Sequence, residues 1–176
     1  MFADDTLTPK EAARLCSLGT LATVISMSYA KLASSVRHFQ DRIQGPSLDV
    51  LGSSIELLKY EGLVDESECE DGPILTITKE GQRELRFLLT ARMRPGATDL
   101  NKLIIALKFR FLHLLAPKEQ KLQIEIMLET VEIEIARLQD LRDTHEKDTG
   151  YLLTWLDQEL SVLKVQLKWL ENFATR

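Results

Sequence analysis

Cysteine is scarce in this chain of 176 residues. There are two, Cys16 and Cys69, with three scattered histidines. That set has no metal-ligand spacing, so no metal is expected. Cys16 sits among apolar helix positions and reads as a small buried hydrophobe. Cys69 sits among carboxylates, which do not activate a thiol. Aromatic residues reach only 6%. No uninterrupted apolar run approaches the ~18–20 residues that span a membrane. The opening MFADDTLTPK lacks the cationic and then apolar order of a signal segment, so a cytoplasmic protein with no membrane partner is expected. No Gly-rich phosphate loop, nucleophile elbow or paired histidine is present. Catalysis and a bound cofactor are therefore not expected. Cations are also in deficit, with 22 Lys and Arg against 27 Asp and Glu.

What remains is apolar and helical. Hydrophobic residues make up 44% of the chain, enough for a packed core. Thr8-Pro9-Lys10-Glu11 reads as a helix start with a capping box. Leu15, Leu18 and Leu21 form that helix's inner face, and Gly19 weakens its end. Val24-Ile25-Ser26 reads as a brief strand or turn. Ser28 caps a second helix, in which Leu32, Val36, Phe39 and Ile43 recur at helical spacing. Gly45-Pro46 ends it and Ser47 caps a third, with Leu48, Leu51, Ile55 and Leu58 inward. Gly62 stops this helix, where a positive φ suits glycine.

The stretch from Gly45 to Gly81 carries the most information. Leu63-Val64 starts a strand, Asp65 to Gly72 forms a polar loop, and Ile74 to Ile77 returns as a second strand. Thr78 then caps a fourth helix with Leu85, Leu88 and Leu89 inward. Helix, strand, loop, strand and helix within 37 residues is the order of a recognition helix and wing. In a winged helix-turn-helix the recognition helix enters the DNA major groove. The candidate contacts are Lys31, Arg37 and Arg42 on the second helix, with Ser47, Ser53, Ser54 and Lys59 on the third. Cations suit phosphates and hydroxyls suit phosphates or base edges. Charge argues the other way. Residues 1–92 hold 10 Lys and Arg against 14 Asp and Glu. The wing carries Asp65, Glu66, Glu68, Glu70 and Asp71, against a backbone with one charge per ~1.7 Å. Either these are a solvated tip, or they bar DNA, or they meet a basic protein partner.

Arg94 to Thr98 breaks the periodicity, which divides the chain into residues 1–93 and residues 94–176. A fifth helix follows, capped by Thr98 or Asp99. Pro117 opens a long helix running to about His145, with Ile124, Leu128, Val131, Ile135 and Leu138 as a 4-3-4-3 seam. The last helix, from about Thr149, carries Leu156, Leu160, Leu163, Leu167 and Leu170. Two long striped helices leave apolar surface over, and a homodimer sharing a helical bundle is the economical solution. Helices folded back on the first domain are the alternative. Phe109, Trp155 and Trp169 line an effector pocket or pack in the bundle core. The fold class is thus mainly α with a small β-hairpin: a winged helix-turn-helix domain followed by a long-helix dimerisation domain.

SLDVLGSSIELLKYEGLV leading to LTITKEGQREL resembles the winged helix of PadR-type transcriptional regulators. LLAP, the Glu- and Leu-rich helix after it and the closing LKWLENF resemble the C-terminal domain of the shorter, virulence-activator-like members. The resemblance spans roughly residues 8–173. It implies a homodimeric, cytoplasmic bacterial repressor that binds double-stranded DNA, often with a cavity for a small effector. Family members usually carry Arg or Lys in the wing and a Tyr near the position of Gly52. This chain departs at both. A winged-helix protein-interaction module that has lost DNA binding is the alternative function.

Overall fold

The computed structural model describes residues 6–45, 51–93 and 98–175, with backbone only for 51–54. It forms two compact units. The first holds residues 1–92 with 98–115, and the second holds residues 93–97 with 116–176.

In the first unit, α1 (Pro9–Thr23) starts as its residues dictate. Thr8 and Glu11 close a reciprocal capping box, and Pro9 occupies the first turn. Leu15, Leu18 and Leu21 are fully buried. Gly19 does not weaken the helix end, because the helix runs four residues past it. A methyl there would lie 2.5 Å from the Phe111 ring, so the missing side chain makes room for that aromatic.

Helix α2 (Tyr29–Gln44) is capped by Ser28 and closed by Gly45 at φ 87°. Helix α3 spans Leu51–Tyr60. The cap expected from Ser47, and Leu48 and Pro46 with it, lies outside the described residues. Gly62, at φ 71°, reverses the chain after α3. Strands β1 (Val64–Ser67) and β2 (Ile74–Ile77) then pair antiparallel, Val64 opposite Ile77 and Ser67 opposite Ile74. The Val24–Ser26 segment is a bend and not a strand. Its successor Met27 exchanges two backbone hydrogen bonds with Leu75, at 3.2 and 2.8 Å, and adds one rung to the sheet.

Helix α4 (Lys79–Thr90) begins at Thr78, whose hydroxyl accepts from Gly81 N–H and donates to the Gly62 carbonyl. The carbonyl oxygens at the end of α4 are well served. Thr90 donates to Arg86 O and Phe87 O, and the buried Lys108 ammonium donates to Leu89 O (2.6 Å) and Ala91 O (2.8 Å). Phe87 O and Leu89 O are among the acceptors that a helix end leaves without intrahelical partners.

Lys108 belongs to α5 (Asp99–Phe111), capped by Thr98. The sequence places this helix beyond the boundary at 94, in the second domain. The structure puts it in the first unit, and the break follows Leu115. The reason is packing. Leu103, Ile104, Leu107 and Phe111 are buried. Arg110 stacks over Phe39 and Phe111 at 4.6 and 4.9 Å, and Gln44 donates to Asp99 O. A 3₁₀ turn at Leu112–Leu114 ends the unit.

The second unit is a helical hairpin. Helix α6 (Pro117–Thr144) has the 28 residues its periodicity suggests, and α7 (Leu152–Ala174) runs back along it. Leu138, Leu156 and Leu160 form its buried cluster, flanked by Ile135, Leu152 and Leu163. Arg142 clasps Asp157 across the pair at 2.6 Å. Among the described residues, no helix is long and apolar enough to cross a membrane.

Candidate nucleic-acid interface

Helix α2 presents Lys31, Arg37 and Arg42, and all three are exposed. They do not share one face. At 100° per residue, Lys31, His38 and Arg42 fall in one stripe, while Arg37 lies about 120° round the axis. Lys31 and Arg42 are about 16 Å apart along the helix, so together they can follow a strand's backbone.

On α3 the described side chains begin at Ile55. Ile55 and Leu58 are fully buried, anchoring the helix on the unit's core. Ser53 and Ser54 lie on the helix, but their side chains, like all of Ser47, are outside the described residues. Leu57 and Tyr60 are exposed, Tyr60 at 90%.

Lys59 lies in the last turn of α3, as expected, but it is not free. Its ammonium sits 2.9 Å from Glu66 of β1 and 3.7 Å from Glu56 one turn back on α3. The Glu66 hydrogen bond raises the Lys59 pKa above its ordinary value. A cation assigned to phosphate is held by the wing. The cause is the tight Gly62 reversal, which carries β1 back beside the last turn of α3. Glu66 and Lys59 are seven residues apart, and no helical or strand periodicity pairs them.

The rest of the wing is as acidic as its sequence. Asp65, Glu66, Glu68, Glu70 and Asp71 are all exposed. No group of three or more potential ligands able to hold a metal occurs among the described residues. Elsewhere in the unit, Arg14 bridges Glu61 after α3 and Glu84 of α4 at 2.8 and 3.0 Å, tying the recognition helix to the body. Burial pushes the Cys16 thiol up to about 11 against the pull of Arg110, leaving it inert.

In the leucine stripes of the second unit, Ile135, Leu138, Leu156, Leu160 and Leu163, expected at the dimer seam, pack against one another within the hairpin. Ile124, Val131 and Leu170 are buried, and Leu128 and Leu167 half-buried. An antiparallel partner in the same chain satisfies a heptad stripe as well as a second copy does. The other face of α7 is open. Trp155, Val162 and Trp169 recur every seven residues and are 53%, 53% and 50% exposed. Tyr151 and Val165 flank them, also exposed. The fourteen-residue spacing of Trp155 and Trp169, two heptads, already places them on one side of the helix.

Phe109 is half-buried in the first unit, whereas both tryptophans stand on the open face of the second. Trp169 stacks on Phe173, ring centroids 5.6 Å apart. Trp155 borders a shallow shelf with Tyr151 and Gln158. A separate cavity of about 610 Å³ lies in the first unit, among Leu21, Val24, Ile77, Leu85, Leu89 and Leu115. None of the three aromatic residues lines it.

The three-helix body with its β-ribbon and following helix is a winged helix-turn-helix fold. The family model described as "Putative AphA-like transcriptional regulator" matches residues 2–174, and the chain belongs to that family. It is a family of transcriptional regulators, not of enzymes. Solved structures that resemble the chain include PadR of Bacillus subtilis, 17% identical over 96% of each chain with a TM-score of 0.41. The same protein in complex with operator DNA is 19% identical over 96% of this chain and 99% of that one, TM-score 0.40. The protein smu.1604c of Streptococcus mutans is 18% identical over 97% and 100%, TM-score 0.41. No curated protein matches the chain significantly.

Proposed function

We propose that this protein is a homodimeric, cytoplasmic transcriptional regulator whose winged helix binds double-stranded DNA. The observation that carries the reading is the placement of two exposed cations, Lys31 and Arg42, along one stripe of α2, beside a recognition helix whose buried Ile55 and Leu58 fix its pose. Helix α3 enters the major groove, and the α2 pair neutralises phosphates alongside it. Arg37 reaches a separate backbone position. Fluorescence anisotropy with DNA from the protein's own upstream region tests this at ~50 mM salt, where counterion release favours binding most. Lys31→Gln and Arg42→Gln should each weaken binding on all sequences and lower the salt slope by about one. Absence of binding at that salt overturns the reading.

The homodimer seam is the outer face of α7, centred on Trp155, Val162 and Trp169. Support comes from their exposure at heptad spacing and from the inner leucine stripe being occupied within the chain.

A second reading is favoured by the five exposed wing carboxylates: a winged-helix module that meets a basic protein partner. Changing Glu66, Glu68, Glu70 and Asp71 to Ser separates the two. It should strengthen DNA binding if DNA is the partner, and abolish recovery of a basic partner in the other case.

A further inference from the structure

We propose that Glu66 is an internal stand-in for a DNA phosphate, holding Lys59 off the duplex until the backbone displaces it. The inference rests on the DNA-binding reading above and specifies how that same surface is restrained.

The geometry is built by the backbone. Leu63 N–H donates to Leu58 O, closing α3, and Gly62 turns the chain with a positive φ. Thr78 ties the turn to α4, its hydroxyl donating to Gly62 O and its N–H to Leu63 O. The pairing of Val64 with Ile77 and of Glu66 with Leu75 then fixes where Glu66 starts. The carboxylate thus reaches Lys59 Nζ at 2.9 Å from a root fixed by four hydrogen-bonded residues.

Lys59, Glu56 and Glu66 together carry one net negative charge at the wing end of α3. A phosphate approaching Lys59 must replace a carboxylate already in hydrogen-bond contact. Once displaced, Glu66 is left unpaired in the field of the duplex. Both effects lower affinity. The duplex can still win, because its charge density far exceeds that of one carboxylate. The contact therefore weakens binding without forbidding it. It also flattens the salt response. Lys59 releases a counterion from the DNA, while the freed Glu66 recruits one from solution, so the two nearly cancel.

A double-mutant cycle on the full chain tests this, using Lys59→Gln, Glu66→Gln and both together. Glu68→Gln serves as the control, since it removes an equal wing charge that does not pair with Lys59. Anisotropy against upstream DNA between ~50 and ~200 mM salt gives affinity and slope. Circular dichroism confirms that every variant is folded. Glu66→Gln should tighten binding about five- to tenfold and steepen the salt slope by about one, against about twofold for Glu68→Gln. Lys59→Gln should change affinity by less than about twofold alone, yet cancel most of the gain in the Glu66→Gln background. Equal effects of Glu66→Gln and Glu68→Gln, or the same loss from Lys59→Gln in both backgrounds, overturn the proposal while leaving DNA binding standing. If no protein in the set binds, the DNA reading fails and this inference with it.

Discussion

Lys108 shows how one side chain can lock two elements. Its aliphatic stem crosses the core from α5, and its ammonium closes the end of α4 through Leu89 O and Ala91 O. Burial lowers its pKa from 10.5 to about 8. A lowered ammonium pKa has a definite sign. Below pH 8 both folded and unfolded chains hold the proton, and the fold bears the full cost of the buried charge. Between pH 8 and 10.5 the folded state releases the proton while the unfolded state keeps it, so stability rises with pH. At neutral pH, Lys108→Met should change stability by less than ~2 kcal/mol, because relief of the buried charge offsets two orphaned carbonyls. At pH 9.5 the native Lys108 should be worth about 2 kcal/mol more relative to Met than at pH 7. Urea unfolding of both proteins at the two pH values checks this. An identical difference at both would remove the charge from the account.

At the scale of elements, the wing depends on where α4 begins. Gly81 lies in the first turn of α4, directly under the Leu63 carbonyl at the root of the wing. A methyl group there would collide with Leu63 O and lie 2.8 Å from Ile77 Cγ1. Replacing glycine by alanine inside a helix ordinarily gains about 1 kcal/mol. Here the obstacle is backbone, which cannot swing aside, so Gly81→Ala should instead cost about 1–3 kcal/mol. Thermal unfolding should register a drop of roughly 5–10 °C. A rise in Tm would mean that the wing root yields freely. The caps were legible at this scale because their chemistry is local. Thr8 with Glu11, Ser28, Thr78 and Thr98 each satisfy an N–H within three residues. The hairpin was legible too, from Gly62 and the β-branched run before Thr78. The membership of α5 was not, because Arg94-Pro95-Gly96 marks a break in periodicity without saying what packs across it.

At the scale of the molecule, the second unit leaves an aromatic heptad face outward on α7. Each tryptophan is about half exposed, so pairing can bury roughly half of the ~150–250 Å² that an aromatic side chain offers, and two from each copy supply part of a stable interface. The native protein should sediment as a dimer of the 20.0 kDa chain. Trp155→Ser with Trp169→Ser should raise the dimer dissociation constant at least a hundredfold, whereas Leu156→Ala should chiefly lower the unfolding temperature, since Leu156 is fully buried in the hairpin. Sedimentation equilibrium and thermal unfolding together separate the two faces. A tryptophan double variant that remains dimeric would move the seam elsewhere.

Residue periodicity and capping chemistry, read from the chain alone, were enough for the helices and the hairpin, and the resemblance of particular stretches pointed to a PadR-type regulator. Each of those signals acts over a turn or two of backbone, and the sequence prints such distances directly. Three matters waited for the tertiary structure: the company α5 keeps, which α7 stripe is spent within the chain, and the capture of Lys59 by Glu66. All three are choices between partners of equal chemical merit. Leucine packs on any leucine and an ammonium pairs with any carboxylate, so only the folded path of the backbone selects among them.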